Sequence, residues 1–334
     1  PVGYVSFDDD RPAHRSHALV PATWLETATA DGSIASTAAD MAAYARMLLN
    51  RGKGTRGRVL SEESFRLMTQ RLAEPPEGNE DHGSFYGYGL NISDDGGHTI
   101  IGHGGGMVGY CASILGDMDD RLGAVVLANG PGAPNAIARF SLKLLRAAYH
   151  DRELPALPPA AEPTRVETPA DYAGGYRAQT RAFNIVALGE QLALDHGGDR
   201  VILERRGEDC FYVPHADYVR FLLRFGREGG QVVEAFHGPD WNINERYTGP
   251  ADYDVPPEWA AYSGHYRSHN PWYSNFRVIL RKGRLLLVHP WGDEEVLVPL
   301  EDGSFRVGDD ETSPERLRLD TMLGDQASRA NLSG

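Results

Sequence analysis

The chain has 334 residues, a formal net charge of −14 and 41% hydrophobic residues, which allows two globular domains of ordinary composition. So acidic a chain argues against nucleic acid and anionic membrane as partners, since both need clustered Lys and Arg. No apolar run approaches the roughly 20 residues of a membrane-spanning helix, and residues 1–20 show no signal-peptide pattern.

Residues 1–30 read as loop, with Asp8-Asp9-Asp10 as a solvated acidic turn. Thr37 with Asp40 three residues on forms a capping box in which Asp replaces the usual Glu. Met41, Tyr44, Ala45, Leu48 and Leu49 follow on one helical face, which Arg51-Gly52 closes. Ser61 caps a second helix, with Leu60 and Phe65 placed as a hydrophobic staple and Leu72 continuing the face. A polar loop over 74–83 leads to short strands at 87–92, 99–102, 110–115 and 122–128, the last two joined by a turn at 117–121.

Between the second and third of these strands stands His103-Gly104-Gly105-Gly106-Met107-Val108-Gly109-Tyr110. Glycine inside a strand pattern marks a bulge, or a place where a ligand or another backbone comes close. The stretch therefore reads either as a hairpin turn with a surface His or as a strand bordering a ligand, with an imidazole suited to moving a proton. A third helix, with Pro134 near its first turn and Ile137, Ser141, Leu144 and Ala148 on one face, runs to about Tyr149. Pro155, Pro158, Pro159, Pro163 and Pro169 make 151–170 an extended, semi-rigid linker.

Beyond the linker the chain repeats itself. Tyr172-Ala-Gly-Gly-Tyr-Arg177 recurs as Tyr262-Ser-Gly-His-Tyr-Arg267, a period of about 90 residues, and each copy opens a run of short alternating strands. The copies span 171–250 and 258–334. Neither closes its own edges easily by pattern, so one shared antiparallel barrel or sandwich is expected. The second copy stops where the last strand of the first is still running, so it is expected to be truncated. The Trp and Tyr residues here read as core filling, with ligand lining as the alternative.

The two cysteines, Cys111 and Cys210, lie far apart in apolar surroundings. They read as buried free thiols, which leaves the compartment open. His14 with His17, and His98 with His103, lack a Cys or carboxylate partner at ligand spacing, so no metal and no cofactor is expected.

His103-x-Gly-Gly-x-x-Gly-Tyr110, followed by a strand and then Val125-Val-Leu-Ala-Asn129, resembles the third box of serine β-lactamase-like hydrolases, which include class C β-lactamases, DD-peptidases and related esterases. Gly32-Ser33-Ile-Ala-Ser-Thr37-Ala-Ala-Asp40-Met41 resembles that family's helix start, and Tyr86-Gly87-Tyr88-Gly89-Leu90 its Tyr-Gly-x-Gly strand. The three stand in family order within residues 1–150. The resemblance implies an α+β fold: an antiparallel sheet with helices, here the C-terminal portion of the catalytic domain. An antiparallel β-barrel-like domain of the lipocalin-like kind, built from the two repeats, would follow at 171–334. It also implies roles. His103 takes the Lys/His relay position on a strand lining a cleft, and Gly106 offers a backbone oxyanion donor. Gly104, Gly105 and Tyr88 border the substrate.

Three departures qualify the resemblance. The lysines, Lys53, Lys143 and Lys282, follow Asn50, Phe140 and Ile279 at three residues, so Ser-x-x-Lys is absent. Tyr273-Ser274-Asn275 matches Tyr-x-Asn but lies in the second repeat, out of family order, and reads as coincidence. Gly104 stands where the family carries a hydroxyl for a substrate carboxylate, which favours an uncharged ester or amide, small-molecule or peptide. Two functions remain open at this level. One is a hydrolase portion, inactive alone, whose partner is the missing N-terminal part of its own domain. The other is a non-catalytic binding protein on the same scaffold, with its ligand held by the β-domain.

Overall fold

The computed structural model describes residues 1–334 except 28, 33, 75–82, 179–181 and 334. Ser33 of the helix-start motif and most of the polar loop 74–83 thus lie outside the described residues. The chain divides into two compact units: Pro1–Ser6 with Leu19–Pro159, and Phe7–Ala18 with Ala160–Gly334.

In the first unit, β1 (Tyr4–Ser6) pairs with β2 (Leu19–Pro21), so residues 1–30 are not all loop as expected. Three-residue strands carry too little alternation to announce themselves. They are held from outside: the Tyr4 N–H donates to the carbonyls of Gly109 and Asn129 at 3.3 and 3.0 Å. Helix α1 (Ala38–Leu49) starts as its sequence dictates. The Thr37 hydroxyl accepts from the Asp40 N–H at 3.2 Å and donates to the Asp40 carboxylate at 2.9 Å, satisfying an N–H that the helix itself cannot. After the β3 (Lys53–Gly54) and β4 (Gly57–Arg58) hairpin comes α2 (Glu62–Met68), capped by Ser61. Leu72 does not continue this helix. The Leu72 and Ala73 N–H groups both donate to Tyr86 O, which pulls the chain into extended pairing and leaves Leu72 exposed.

The sheet runs in the order β5 (Phe85–Tyr86), β6 (Asn91–Asp95), β7 (His98–Met107), β8 (Tyr110–Asp117), β9 (Leu122–Ala128), antiparallel throughout. Residues 87–90, expected in a strand, form a turn closed by the Gly87 N–H on Leu90 O at 2.8 Å. Strand β7 outruns its expected end at 102, because pairing with β8 carries the glycines as strand.

Side-chain alternation sends Ile101, Ile114 and Val125 to one face and Ile100, Leu115 and Ala124 to the other. The first face packs under α1 and α2 with Ala45, Leu48 and Phe65. The second packs on α3 (Pro134–Tyr149) through Ala138 and Leu142. The expected α3 face is corrected: Ile137 is exposed, and the row at 138 and 142 is buried. Small Ala138 lets the helix backbone approach the sheet, so closeness of approach outweighs side-chain bulk here. Gly116 and Gly123 are register partners, and a Cβ on either would lie 3.1–3.2 Å from the Leu49 side chain. Their bareness seats α1.

The second unit opens with α4 (Pro169–Tyr172) and β10 (Gly174–Arg177), followed by β11 (Ala182–Leu188), β12 (Gln191–His196), β13 (Asp199–Ile202) and β14 (Glu204–Gly207). Then come β15 (Cys210–Tyr212), β16 (Leu223–Glu228), β17 (Gln231–His237) and β18 (Asp240–Ile243). Strand order is β13-β12-β11-β10-β18-β17-β16-β15-β14. The two terminal strands, β13 and β14, are consecutive in sequence with only Leu203 between them. One stretch of chain thus pairs with β12 by its first half and β15 by its second, and the sheet closes into a barrel.

The second repeat follows a 3₁₀ turn at Pro257–Tyr262 with β19 (Gly264–Arg267), β20 (Asn275–Arg281), β21 (Arg284–Val288), β22 (Glu294–Pro299), β23 (Phe305–Val307), β24 (Arg316–Leu323) and β25 (Gln326–Ser333). These pair in chain order. The expectation of one shared barrel is corrected, since each repeat curls around a core of its own. The bend at Leu203, which removes the edges of the first copy, was invisible as a hydrophobic pattern. The recurring Tyr-x-x-x-Tyr has one physical meaning in both copies. The Tyr176 hydroxyl donates to Tyr172 O and the Tyr266 hydroxyl to Tyr262 O, each at 2.8 Å. Their rings stack on Phe183 and Phe276.

The acidic run 8–10 is not a solvated turn. Asp9 pairs with Arg267 and Asp10 with Arg277, and the Asn275 side-chain amide donates to Asp9 O at 2.9 Å. Burial alone would raise the Asp10 carboxyl, but Arg11 and Arg277 hold it below the ordinary range.

Candidate active site

Strand β7 changes character halfway along. At its start, Ile100, Ile101 and Gly102 are buried and paired on both sides, with β6 and with β8. The register of β6 ends at Asn91 opposite Gly102, because the turn at 87–90 leads the chain away. Residues 103–107 are therefore paired with β8 only, among the described residues, and residues 103–106 are exposed. An edge of this kind offers backbone N–H and C=O groups to an incoming extended group.

The glycines on the two sides of this change differ in cause. A Cβ on Gly102 would lie 2.3 Å from Ile114 O and 2.7 Å from a Leu115 methyl, so packing requires glycine there. At Gly104 and Gly105 a Cβ would meet nothing closer than 3.9 Å, and at Gly106 nothing within 4 Å. None of these three has a positive φ. Among the described residues, neither conformation nor packing demands glycine at 104–106. What glycine leaves there is open space along an accessible strand.

By alternation His103 and Gly105 share the α1 face of the sheet, and Gly104 and Gly106 the α3 face. His103 is exposed, and its Nε2 lies 3.1 Å from the Tyr86 hydroxyl on β5. The rings are tilted, with centroids 5.9 Å apart. The resemblance of Tyr86-Gly87-Tyr88-Gly89-Leu90 points to Tyr88 as the residue bordering the substrate. In the fold Tyr88 is 63% exposed, and it is Tyr86 that reaches the imidazole. The signal for Tyr86 was its place in a strand next to β7, but the motif alone does not say which of two tyrosines faces the relay residue.

Other clusters in this unit hold the fold together. Asp117, fully buried at the end of β8, accepts from the Asp119 and Asp120 N–H groups at 3.0 and 3.1 Å and from the Arg146 guanidinium. Burial pushes its carboxyl up, but these donors outweigh burial and hold it below the ordinary range. His98 Nδ1 lies 2.9 Å from the same carboxylate. A cavity of about 680 Å³ lies between α1 and the β3–β4 hairpin, lined by Tyr44, Met47, Lys53 and Val59. His103 takes no part in it. Tyr273 and Asn275 of the Tyr-x-Asn match pack in the second unit: the Tyr273 ring stacks on Phe276, and Asn275 is buried against Asp9. Both cysteines are free, Cys111 half-buried and Cys210 buried. Among the described residues, His98, Asp117 and Asp119 form one group whose donor atoms come within reach of a shared ion, and His196, His215 and Asp217 form another.

Residues 4–148 match the family model described as Beta-lactamase. The octameric penicillin-binding protein homologue from Pyrococcus abyssi is similar at 24% identity and a TM-score of 0.42, covering 74% of this chain and 52% of its own. A crystal structure of SurE is similar at 19% identity and a TM-score of 0.32, covering 73% of this chain and 55% of that one. The chain thus spans about half the length of these solved structures. No curated protein matches it.

Proposed function

Because residues 4–148 match the family model described as Beta-lactamase, we propose that the chain is part of a serine hydrolase working through an acyl-enzyme on an ester or amide, with β7 receiving the substrate. The observation that supports this reading is the run 104–106, where glycine is required by nothing among the described residues and sits on an open strand edge. A substrate lying along that edge would be bordered by Gly104, Gly105 and Tyr88. The backbone N–H of Gly106 would then serve as one oxyanion donor, an interaction whose removal typically costs about 3 kcal/mol of transition-state stabilisation. His103, with its neighbour Tyr86, is suited to pass a proton between nucleophile and leaving group. The absence of a hydroxyl at Gly104 favours an uncharged ester or amide over a ligand anchored by its carboxylate.

The acyl step needs a hydroxyl within hydrogen-bond reach of a base, and the family's Ser-x-x-Lys is not in this sequence. In this reading the nucleophile and the Tyr-x-Asn relay would be supplied from outside residues 1–334, by the partner the chain would need. In the same reading 151–170 is the linker and 171–334 a lipocalin-like appendage. Intact-mass spectrometry after a fluorophosphonate or penicillin probe tests this. The chain alone is expected to remain unlabelled. The protein translated with its upstream codons is expected to gain one adduct, on the Ser of a Ser-x-x-Lys. An adduct on a serine within residues 1–334 would overturn the assignment. A longer protein without Ser-x-x-Lys and without labelling would favour a binding protein on the hydrolase scaffold.

A further inference from the structure

We propose that the outer face of the first barrel carries a binding cage for alkylammonium groups, occupied in this chain by its own Lys282. Glu234 and Phe236 stand two apart on β17 and so share a face, and Trp241 on β18 lies opposite Phe236 in register. Tyr247 and Tyr253, from the segment after β18, meet the Trp241 ring edge-on at 5.5 Å each. The Lys282 ammonium lies 5.2 Å from the Trp241 ring, 5.7 Å from Phe236 and Tyr247, and 5.8 Å from Tyr253. It donates to both oxygens of Glu234 at 2.9 and 2.8 Å. Several aromatic rings around one carboxylate is the composition that recognises primary and methylated ammonium groups.

The cage residues come from a different stretch of chain than their occupant. All five residues lie between 234 and 253, in the first repeat and the segment after it, whereas Lys282 arrives from the second repeat. Glu234 is buried and fixed by the Trp241 indole N–H at 2.7 Å. Gly226 makes room for it, since a Cβ there would lie 2.6 Å from Glu234. Lys282 sits at the tip of the two-residue turn joining β20 and β21, at φ 50°, followed by Gly283 at φ 72°. That geometry suits Asn, Asp or Gly; a lysine is held there by what its ammonium reaches.

Replacing Lys282 by Ala removes the three methylenes and the ammonium that n-propylammonium would restore. Lys282→Ala is expected to bind n-propylammonium chloride saturably, at concentrations on the order of millimolar for so small a ligand. Tryptophan fluorescence and thermal unfolding at constant ionic strength would both report it. The wild type, and Lys282→Ala combined with Glu234→Gln, are expected not to respond. A response equal in all three proteins, or none in Lys282→Ala, would overturn the cage. A second measurement needs no variant. Lys53 and Lys143 are exposed and are the only other lysines, so limited acetylation followed by peptide mass spectrometry compares the three within one molecule. Lys282 is expected to react at least about tenfold more slowly, each tenfold corresponding to a protection of one decade in the equilibrium. Equal reactivity would contradict an occupied cage.

Discussion

The two halves of β7 have similar composition and opposite demands. Residues 98–102 are paired on both sides, and Gly102 is a packing requirement. Among the described residues, 103–107 are paired on one side only, and glycines 104–106 answer to no packing contact. One strand thus passes from core to open edge within a single residue, at the point where β6 turns away. The same residue type means opposite things on the two sides, and only the surroundings tell them apart.

Substitutions can break this contrast, and the largest effect is expected where the buried half is anchored. Asp117 is the register partner of Ile100, and Asp117→Ala leaves the Arg146 guanidinium without its buried partner. A loss of about 3–5 kcal/mol is expected in urea unfolding of the chain. Gly102→Ala should cost about 2 kcal/mol in the same measurement, through overpacking against Ile114 and Leu115. The contrast would fail if Gly105→Ala cost as much.

Acid titration sharpens the picture. The folded Asp117 carboxyl titrates below its ordinary value, so its contribution is full above the unfolded value near 3.8 and is lost as pH falls through the folded one. The dependence is bounded at about 1.4 kcal/mol per pH unit for one proton. Unfolding free energies measured between neutral pH and pH 3 should fall less steeply below pH 4 in Asp117→Ala than in wild type. The smallest effects belong to the open half. Gly105→Ala and Tyr86→Phe are each expected within about 0.5 kcal/mol of wild type by thermal unfolding.

Much of this was legible in sequence where the determinant is local. Thr37 and Ser61 cap their helices as read, and the turn at 117–121 joins β8 to β9. The repeat was visible because each copy reuses one hydroxyl-to-carbonyl bond and one Tyr–Phe stack. Legibility failed where a distant partner decides. The true end of β7 depends on pairing with residues 110–114, and glycine's weak strand preference argued against it. The buried face of α3 rests on Ala138, whose value is its smallness. Tyr86 rather than Tyr88 meets His103 because of the turn at 87–90. The motif places His103 on this strand, but whether its glycines are open or packed depends on where β6 turns away, which the motif does not carry.

The most direct test of the proposed receiving edge is the acylation rate of Gly105→Val, measured with a chromogenic ester in any longer form of the protein that labels as proposed. A side chain on that edge should displace the substrate with the fold intact. The expected result is a rate lower by about 10²-fold, the typical consequence of misplacing a substrate by an ångström, with an unchanged melting temperature. Undiminished acylation by a folded Gly105→Val protein would contradict the proposal that substrate lies along residues 103–107.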